Sequence, residues 1–213
     1  NYLVAHSAGS GKSNTIAWLT HRLAILHNGN GQRLFDTVIV LTDRLVLDSQ
    51  LQKTIQQLDH TPGLIAAIDK DSSQLAEALT DQRQIIITIQ QKFPFILDKI
   101  GTLSRRRFAV IIDEAHSAQS GEIATTIRQI LGGDALEQAA QQEAEETGAS
   151  IELVRRALAR RYNQTLSFFA FTATPKGKTK RLFGQSDAAG KSDASHKYTM
   201  QQAIAEGFIL DVL

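Results

Sequence analysis

Tyr2-Leu3-Val4-Ala5-His6-Ser7-Ala8-Gly9-Ser10-Gly11-Lys12-Ser13-Asn14 runs from a short apolar segment through a glycine-rich turn into a helical pattern. Downstream, Ile16, Leu19, Leu23 and Leu26 recur at spacings of three and four, the apolar stripe of an amphipathic helix. Glycines between a strand and a helix let successive backbone N–H groups turn toward one point, and the helix N-terminus adds its own donors there. That geometry suits phosphate oxygens. Ala8, Gly9, Ser10, Gly11, Lys12, Ser13 and Asn14 are therefore the candidate phosphate-binding residues, with Lys12 reaching the β- and γ-oxygens and Ser13 ligating Mg²⁺. The strict pattern begins with glycine where this chain has His6, but its Gly-x-Gly-Lys-Ser core is intact.

Outward from this turn, β-branched runs alternate with helical spacing. Tyr2 to Ala5, Thr37 to Leu41, Ile85 to Ile89, Phe108 to Ile112 and Leu166 to Phe171 read as strands, with a weaker candidate at Gly63 to Ile68. Strands alternating with helices predict a mainly parallel sheet covered on both faces, a three-layer α/β lobe. Asn28-Gly29-Asn30-Gly31 is expected to end the first helix. Residues 132–164 read as a helical insertion and residues 176–197 as a long polar loop. Thr199 is the expected N-cap of a short helix from Met200 to Glu206, with Gly207 stopping it.

The second chemical signal is Phe108-Ala109-Val110-Ile111-Ile112-Asp113-Glu114-Ala115-His116, an apolar strand that delivers two carboxylates at its C-terminal end. In open α/β sheets that edge is where ligands bind. Asp113 is the candidate magnesium ligand together with Ser13, and Glu114 the residue that polarises an attacking water. Lys12, Asp113 and Glu114 make up the candidate catalytic set. On average composition the Gly-x-Gly-Lys-Ser core arises by chance in roughly one chain in a hundred of this length, and Asp-Glu-Ala-His in roughly one in a thousand. Their joint occurrence, in order and each after a strand, decides for a nucleotide site over ordinary turns. Thr172-Ala173-Thr174-Pro175 ends a third strand at the same edge, a weaker signal because hydroxyls at strand ends commonly serve only the turn.

These strand ends resemble the first RecA-like lobe of superfamily 2 helicases and translocases of the DEAH-box-like kind. Within it, the chain resembles most the motor (restriction) subunit of type I restriction-modification enzymes. The residues carrying the likeness are His6 to Ser13, Leu41-Thr42-Asp43-Arg44, Thr88-Ile89-Gln90-Gln91-Lys92-Phe93, Asp113 to Gly121, Phe171 to Pro175 and Ala203 to Val212. The resemblance implies a RecA-like P-loop NTPase lobe over residues 1–207, with 208–213 leading toward a second lobe. It implies Mg-ATP as cofactor and DNA-dependent ATP hydrolysis within a type I site-specific deoxyribonuclease. It places Thr42, Asp43, Arg44, Thr88, Gln90 and Lys92 on the DNA backbone, where hydroxyl, amide and ammonium donors suit phosphates and carry no sequence information. Helix capping is the alternative for Asp43 and Arg44. His116, Thr172, Ala173 and Thr174 would couple nucleotide to track.

The implied partners are double-stranded DNA, a second RecA-like lobe and a nuclease domain of the same subunit, and the methyltransferase and specificity subunits of a restriction complex. A strand-separating DNA or RNA helicase and a non-motor P-loop module remain the alternative readings. A net charge of +1, from 23 basic and 22 acidic residues, offers no global electrostatic argument for nucleic acid. The basic residues instead cluster at Arg105-Arg106-Arg107, at Arg155-Arg156 with Arg160-Arg161, and at Lys176, Lys178, Lys180 and Arg181. With no cysteine, disulfides and thiolate metal sites are excluded and a cytoplasmic location is favoured. No apolar run approaches the about 20 residues of a membrane helix. Both ends fall in strand-like runs, so the chain is expected to be a piece of a longer protein.

Overall fold

The computed structural model describes residues 1–43, 45–58, 63–68, 72–92, 106–116, 150, 166–187 and 190–209. The most apolar runs form its centre. In β2 (Thr37–Thr42) and β5 (Phe108–Ile112) every residue is buried, as continuous β-branched and aromatic runs require when both faces of a strand are covered. β1 (Tyr2–His6), β3 (Ile65–Ala67), β4 (Ile85–Ile89), β6 (Leu166–Thr172) and β9 (His196–Tyr198) complete a seven-stranded sheet of order β3-β4-β2-β5-β6-β1-β9. Each of its strand pairs is parallel. A short antiparallel ribbon, β7 (Gln185–Ser186) with β8 (Ser192–Asp193), stands apart from it.

The period of two along each strand divides the core. Val38, Val40, Ala109, Ile111 and Phe171 face α1 (Lys12–Ala24) and α2 (Leu45–Leu58), which contribute Ile16, Ala17, Leu23, Leu51 and Ile55. Ile39, Leu41, Phe108, Val110, Ile112 and Phe168 face the other way, toward Leu75 and Leu79 of α3 (Ser72–Thr80) and Phe183 of α4 (Gly177–Phe183). This is the expected three-layer α/β architecture. Its consequence for function is that parallel strands bring the C-terminal ends of β1, β2, β4, β5 and β6 to one edge.

Several boundaries differ from expectation. β1, β2 and β6 each run one residue further, to His6, Thr42 and Thr172, and the weak strand contracts to Ile65–Ala67. Helix α1 stops at Ala24, so Leu26 lies beyond it and is exposed; Ile16 and Leu23 are the buried members of the stripe. The Asn28 to Gly31 turn does form, with Asn28 Oδ1 accepting from the Asn30 and Gln32 N–H groups at 2.9 Å each. It separates helix from strand without itself capping the helix.

The largest correction concerns residues 176–197, which hold α4, the β7–β8 ribbon and the start of β9 in place of a featureless loop. Phe183 packs on Phe168 with ring centroids 6.3 Å apart, anchoring α4 to the sheet. Asp193 accepts from both Lys180 (3.1 Å) and Lys197 (2.5 Å), tying helix, ribbon and edge strand together. These two ammonium groups hold the Asp193 carboxyl well below the usual carboxylate range. A Cβ at Gly184 would lie 2.4 Å from Lys180 O and 2.6 Å from Asp193 O, so only glycine permits this close approach. Next, α5 (Met200–Ala205) carries the expected Thr199 cap as a full capping box with Gln202, and Gly207 follows at φ 74°. The proposed insertion at 132–164, apart from Ser150, lies outside the described residues, as do 210–213.

Candidate functional site

The chain leaves β1 at His6 and turns through Ser7 to Gly11 before α1 begins at Lys12. Gly9 and Gly11 adopt φ of 76° and 77°, in the left-handed region that a side chain resists. Gly11 is the residue just before the helix, and no side chain caps the exposed N–H groups of its first turn. The turn borders a cavity of about 350 Å³ lined by Ala8, Gly9, Gly11, Lys12, Ser13, Asn14 and Glu114. Ser10 differs from the other predicted loop residues: it is buried, and its hydroxyl donates to Ser7 O at 2.7 Å, bracing the turn from within.

Asp113 and Glu114 arrive from β5, two strands away from β1 in the sheet. Lys12 Nζ hydrogen-bonds Glu114 Oε1 and stands 3.7 Å from Asp113 Oδ1, so the predicted catalytic set forms one cluster. Burial pushes the Asp113 carboxyl above its ordinary range; Lys12 opposes the shift, Glu114 adds to it, and the Glu114 N–H bond at 2.9 Å opposes it again. A buried acid in that condition is stabilised as carboxylate by a nearby cation.

Glu114 itself has φ 49°, an uncommon conformation for a residue with a side chain. Its neighbours enforce it. Asp113 N donates to Leu41 O (2.9 Å), Ala115 N donates to Phe171 O (2.8 Å), and Gln90 Nε2 donates to Asp113 O (2.7 Å). Strain of this kind, on the order of 1–3 kcal/mol, persists where surrounding structure over-determines the backbone, and it is common at functional sites. The acids are thus fixed from three adjoining elements, β2, β6 and the 3₁₀ turn Gln90–Lys92.

The residues expected to link nucleotide and track are also brought together, except that Ala173 is partly exposed with no side-chain hydrogen bond to give. His116 Nδ1 lies 2.8 Å from Thr172 Oγ1 and 3.2 Å from Glu114 Oε2, the second contact being out of line for a hydrogen bond. Thr172 Oγ1 in turn accepts from Thr174 N at 3.1 Å. A continuous polar path therefore runs from Lys12 through Glu114 and His116 to the end of β6.

The six expected DNA contacts divide. Thr42 (1% exposed), Thr88 (0%) and Gln90 (1%) bury their side chains, so a direct phosphate contact by these groups is not what the structure presents. Strand-end hydroxyls and amides look alike in sequence whether they face solvent or the packed edge, and Gln90 spends its amide on Asp113 O. Asp43 and Lys92 reach the surface in part, Lys92 Nζ donating to Ile68 O at 3.4 Å, and Arg44 lies outside the described residues. Arg106 and Arg107 sit at the opposite edge, where β5 begins. Arg106 donates to Leu79 O (2.6 Å), and Arg107 donates to Arg33 O.

The donor set fits Mg²⁺ and a polyphosphate. Ser13 and Asp113 offer hard oxygen ligands, while no group of three or more His, Cys, Asp or Glu among the described residues forms a self-sufficient metal cage. Magnesium is commonly held by one or two protein oxygens plus substrate phosphates and water. The glycine cradle supplies the other half of the fit, since open space surrounds the Cβ position at Gly11.

Residues that sequence reasoning missed line a second cavity, of about 380 Å³, beside the loop. His6 is buried there with its Nε2 3.2 Å from His196 Nδ1; burial, His196 and Lys12 all lower its pKa, favouring the uncharged ring. Tyr198 donates its hydroxyl to Glu206 Oε2 at 2.6 Å, which pushes the phenol up to about 12. β9 was illegible because it is only three residues at a sheet edge, two exposed and one partly buried, with no apolar alternation.

The model of the SWI2/SNF2 ATPase family matches residues 1–137. Among solved structures, the helicase domain of Pyrococcus furiosus Hef aligns with a TM-score of 0.54 and 14% identity, covering 100% of this chain and 38% of that one. The NS3-like helicase from Alongshan virus aligns at 0.43 and 15%, covering 81% and 33%. This chain therefore spans under two fifths of either structure. The Hef alignment shows a shared RecA-like fold. Comparison with curated proteins gives no match.

Proposed function

This chain belongs to the SWI2/SNF2 ATPase family, and we propose that it is the first motor lobe of an ATP-driven translocase on double-stranded DNA, in the motor subunit of a type I restriction enzyme. The observation that carries the nucleotide reading is the meeting of Lys12, Asp113 and Glu114, with Lys12 and Glu114 lining the glycine-lined cavity. Loop N–H groups and Lys12 would hold the phosphates, and Ser13 and Asp113 would hold Mg²⁺. When bound, that ion neutralises phosphate charge. Glu114 orients a water and takes its proton as the water oxygen bonds the γ-phosphorus and the bond to the departing ADP oxygen breaks. Lys12 turns from Glu114 to the phosphates, which frees the carboxylate for that proton. His116 and Thr172 then carry the change at Glu114 to the end of β6.

The restriction-enzyme assignment is supported by the residues themselves, above all His6 before the loop, the Thr88-x-x-Gln91-Lys92-Phe93 element and the Ala203 to Val212 run. On this reading a second lobe and a nuclease domain belong to the same subunit, and methyltransferase and specificity subunits complete the complex. The location proposed is the cytoplasm; no helix among the described residues is long and apolar enough to cross a membrane.

The test is ATP hydrolysis by the two-lobe protein with duplex DNA, single strands and RNA, alongside displacement of a third strand from a DNA triplex. Duplex-specific stimulation with triplex displacement is expected. Stimulation by single strands with duplex unwinding would favour a helicase, and binding without stimulation a non-motor module. Lys92→Ala should weaken duplex binding equally across sequences and lower the salt slope by about 1, as loss of one phosphate contact does. Binding isotherms at several salt concentrations on unrelated duplexes check this, and an altered sequence preference would reject the contact.

A further inference from the structure

We propose that His6 and His196 are positioning residues for the phosphate loop: one hydrogen bond between their rings ties the loop to edge strand β9, and an added proton opens the tie and weakens nucleotide binding. This rests on the nucleotide reading of the loop. His6 ends β1, and the glycine turn starts with the next residue. β9 runs parallel beside it, pairing Val4 with His196 and His6 with Tyr198. Three contacts join the loop region to this later part of the chain. His6 Nε2 lies 3.2 Å from His196 Nδ1, Ser7 N donates to Tyr198 O at 3.0 Å, and Ile209 Cδ1 stands 3.6 Å from the Cβ position of Gly9. The imidazole pair is the contact among these that can gain a proton near neutral pH. Its buried member is held firmly, edge-on to Phe171 at 6.1 Å and 5.6 Å from the Tyr198 ring. A large side chain where the strict pattern has glycine thus gives the loop a lateral anchor.

The facing nitrogens can share one proton and no more. His6 Nδ1 is buried with no hydrogen-bond partner among the described residues. Buried N–H groups without acceptors are rare, so Nδ1 carries the lone pair, and Nε2 carries the hydrogen that it donates to His196 Nδ1. A proton added to His196 Nδ1 sets two N–H groups against each other. One added to His6 Nδ1 makes a buried donor with nothing to receive it. The surrounding elements offer His6 no compensating anion. Helix α1 contributes the Lys12 ammonium, β6 the uncharged Phe171 ring, and β9 His196 and Tyr198, whose hydroxyl occupies Glu206 at the end of α5. Burial first, then His196 and Lys12, hold the His6 pKa below its ordinary 6.5. The fold therefore favours the neutral ring, so the tie has its full strength above pH 6.5 and is lost as pH falls through the lower folded value.

The test is the calorimetric affinity of the 213-residue chain for Mg-ATP at pH 8 and pH 5.5, in wild type, His196→Ala and His196→Asn. Position 196 is exposed, so both substitutions spare the core. Dividing each variant's Kd by that of wild type at the same pH cancels the ionisation of ATP and of Asp113. His196→Ala should bind about three- to tenfold more weakly at pH 8, the usual worth of one hydrogen bond. That ratio should fall toward one at pH 5.5, where wild type has lost the same bond. Asparagine offers an amide oxygen that accepts from His6 and takes up no proton. His196→Asn should therefore match wild type at pH 8 and bind more tightly than wild type at pH 5.5. A His196 that merely supports the strand would give ratios independent of pH. That result, or equal affinities in all three proteins, overturns the tie and leaves the phosphate site standing. If wild type does not bind Mg-ATP at pH 8, the nucleotide reading and the tie fall together.

Discussion

Glu114→Gln is expected to lower ATP turnover about 10²- to 10⁴-fold in the two-lobe protein with duplex DNA, the usual contribution of a positioned general base. Nucleotide binding should persist. Glutamine keeps the shape of the side chain and can hold a water, but it cannot take the proton. The substitution also removes the carboxylate that engages Lys12, leaving the ammonium freer to meet phosphate oxygens. Hydrolysis and binding should therefore part, with phosphate release lost and calorimetric ATP affinity equal or tighter. The backbone at Glu114 is pinned through Asp113, Ala115 and Gln90, so the exchange leaves the strand end in place. A parallel loss of both activities would assign Glu114 to binding or folding.

A larger effect is expected from the one-sidedness of the site. Among the described residues lining the phosphate cavity, Lys12 is the cation. Phosphoryl transfer develops charge that related NTPases meet with an arginine from a facing domain, worth about 10³ to 10⁵ in rate. Arg106 and Arg107 cannot fold back to serve, because β5 places them at the far edge with their guanidinium groups on backbone carbonyls. The 213-residue chain should thus release phosphate near background, and duplex DNA should not raise the rate. DNA stimulates a two-lobe motor by favouring closure around ATP, and one lobe has no such equilibrium to shift. Steady-state phosphate release with and without duplex DNA measures this. Robust DNA-stimulated turnover would place the finger within these residues.

What the sequence revealed follows from where its physics is local. Thr37 to Leu41 and Phe108 to Ile112 are continuous apolar runs because both faces of those strands are covered, and the carboxylates at Asp113 and Glu114 follow from the strand end. The phosphate turn was legible because glycine and lysine have local reasons to stand there. Order in 176–197 was not, since it comes from Phe183 meeting Phe168 and from Asp193 joining Lys180 to Lys197. No spacing rule announces such contacts. Depth was equally hidden: Thr42, Thr88 and Gln90 carry polar groups that sequence assigns to a surface and packing assigns to the interior. The left-handed backbone at Glu114 had no signal either, because glutamate is not a residue that marks positive φ.

The central claim is that Lys12 and the glycine turn hold ATP, and calorimetric titration of Mg-ATP into wild type and Lys12→Ala tests it most directly, with circular dichroism confirming that both are folded. Lys12→Ala removes a charge-assisted hydrogen bond that backbone donors cannot replace, so affinity should fall about ten- to a hundredfold. An unchanged affinity in a folded Lys12→Ala protein would contradict the account, because the nucleotide would then be bound somewhere other than this loop.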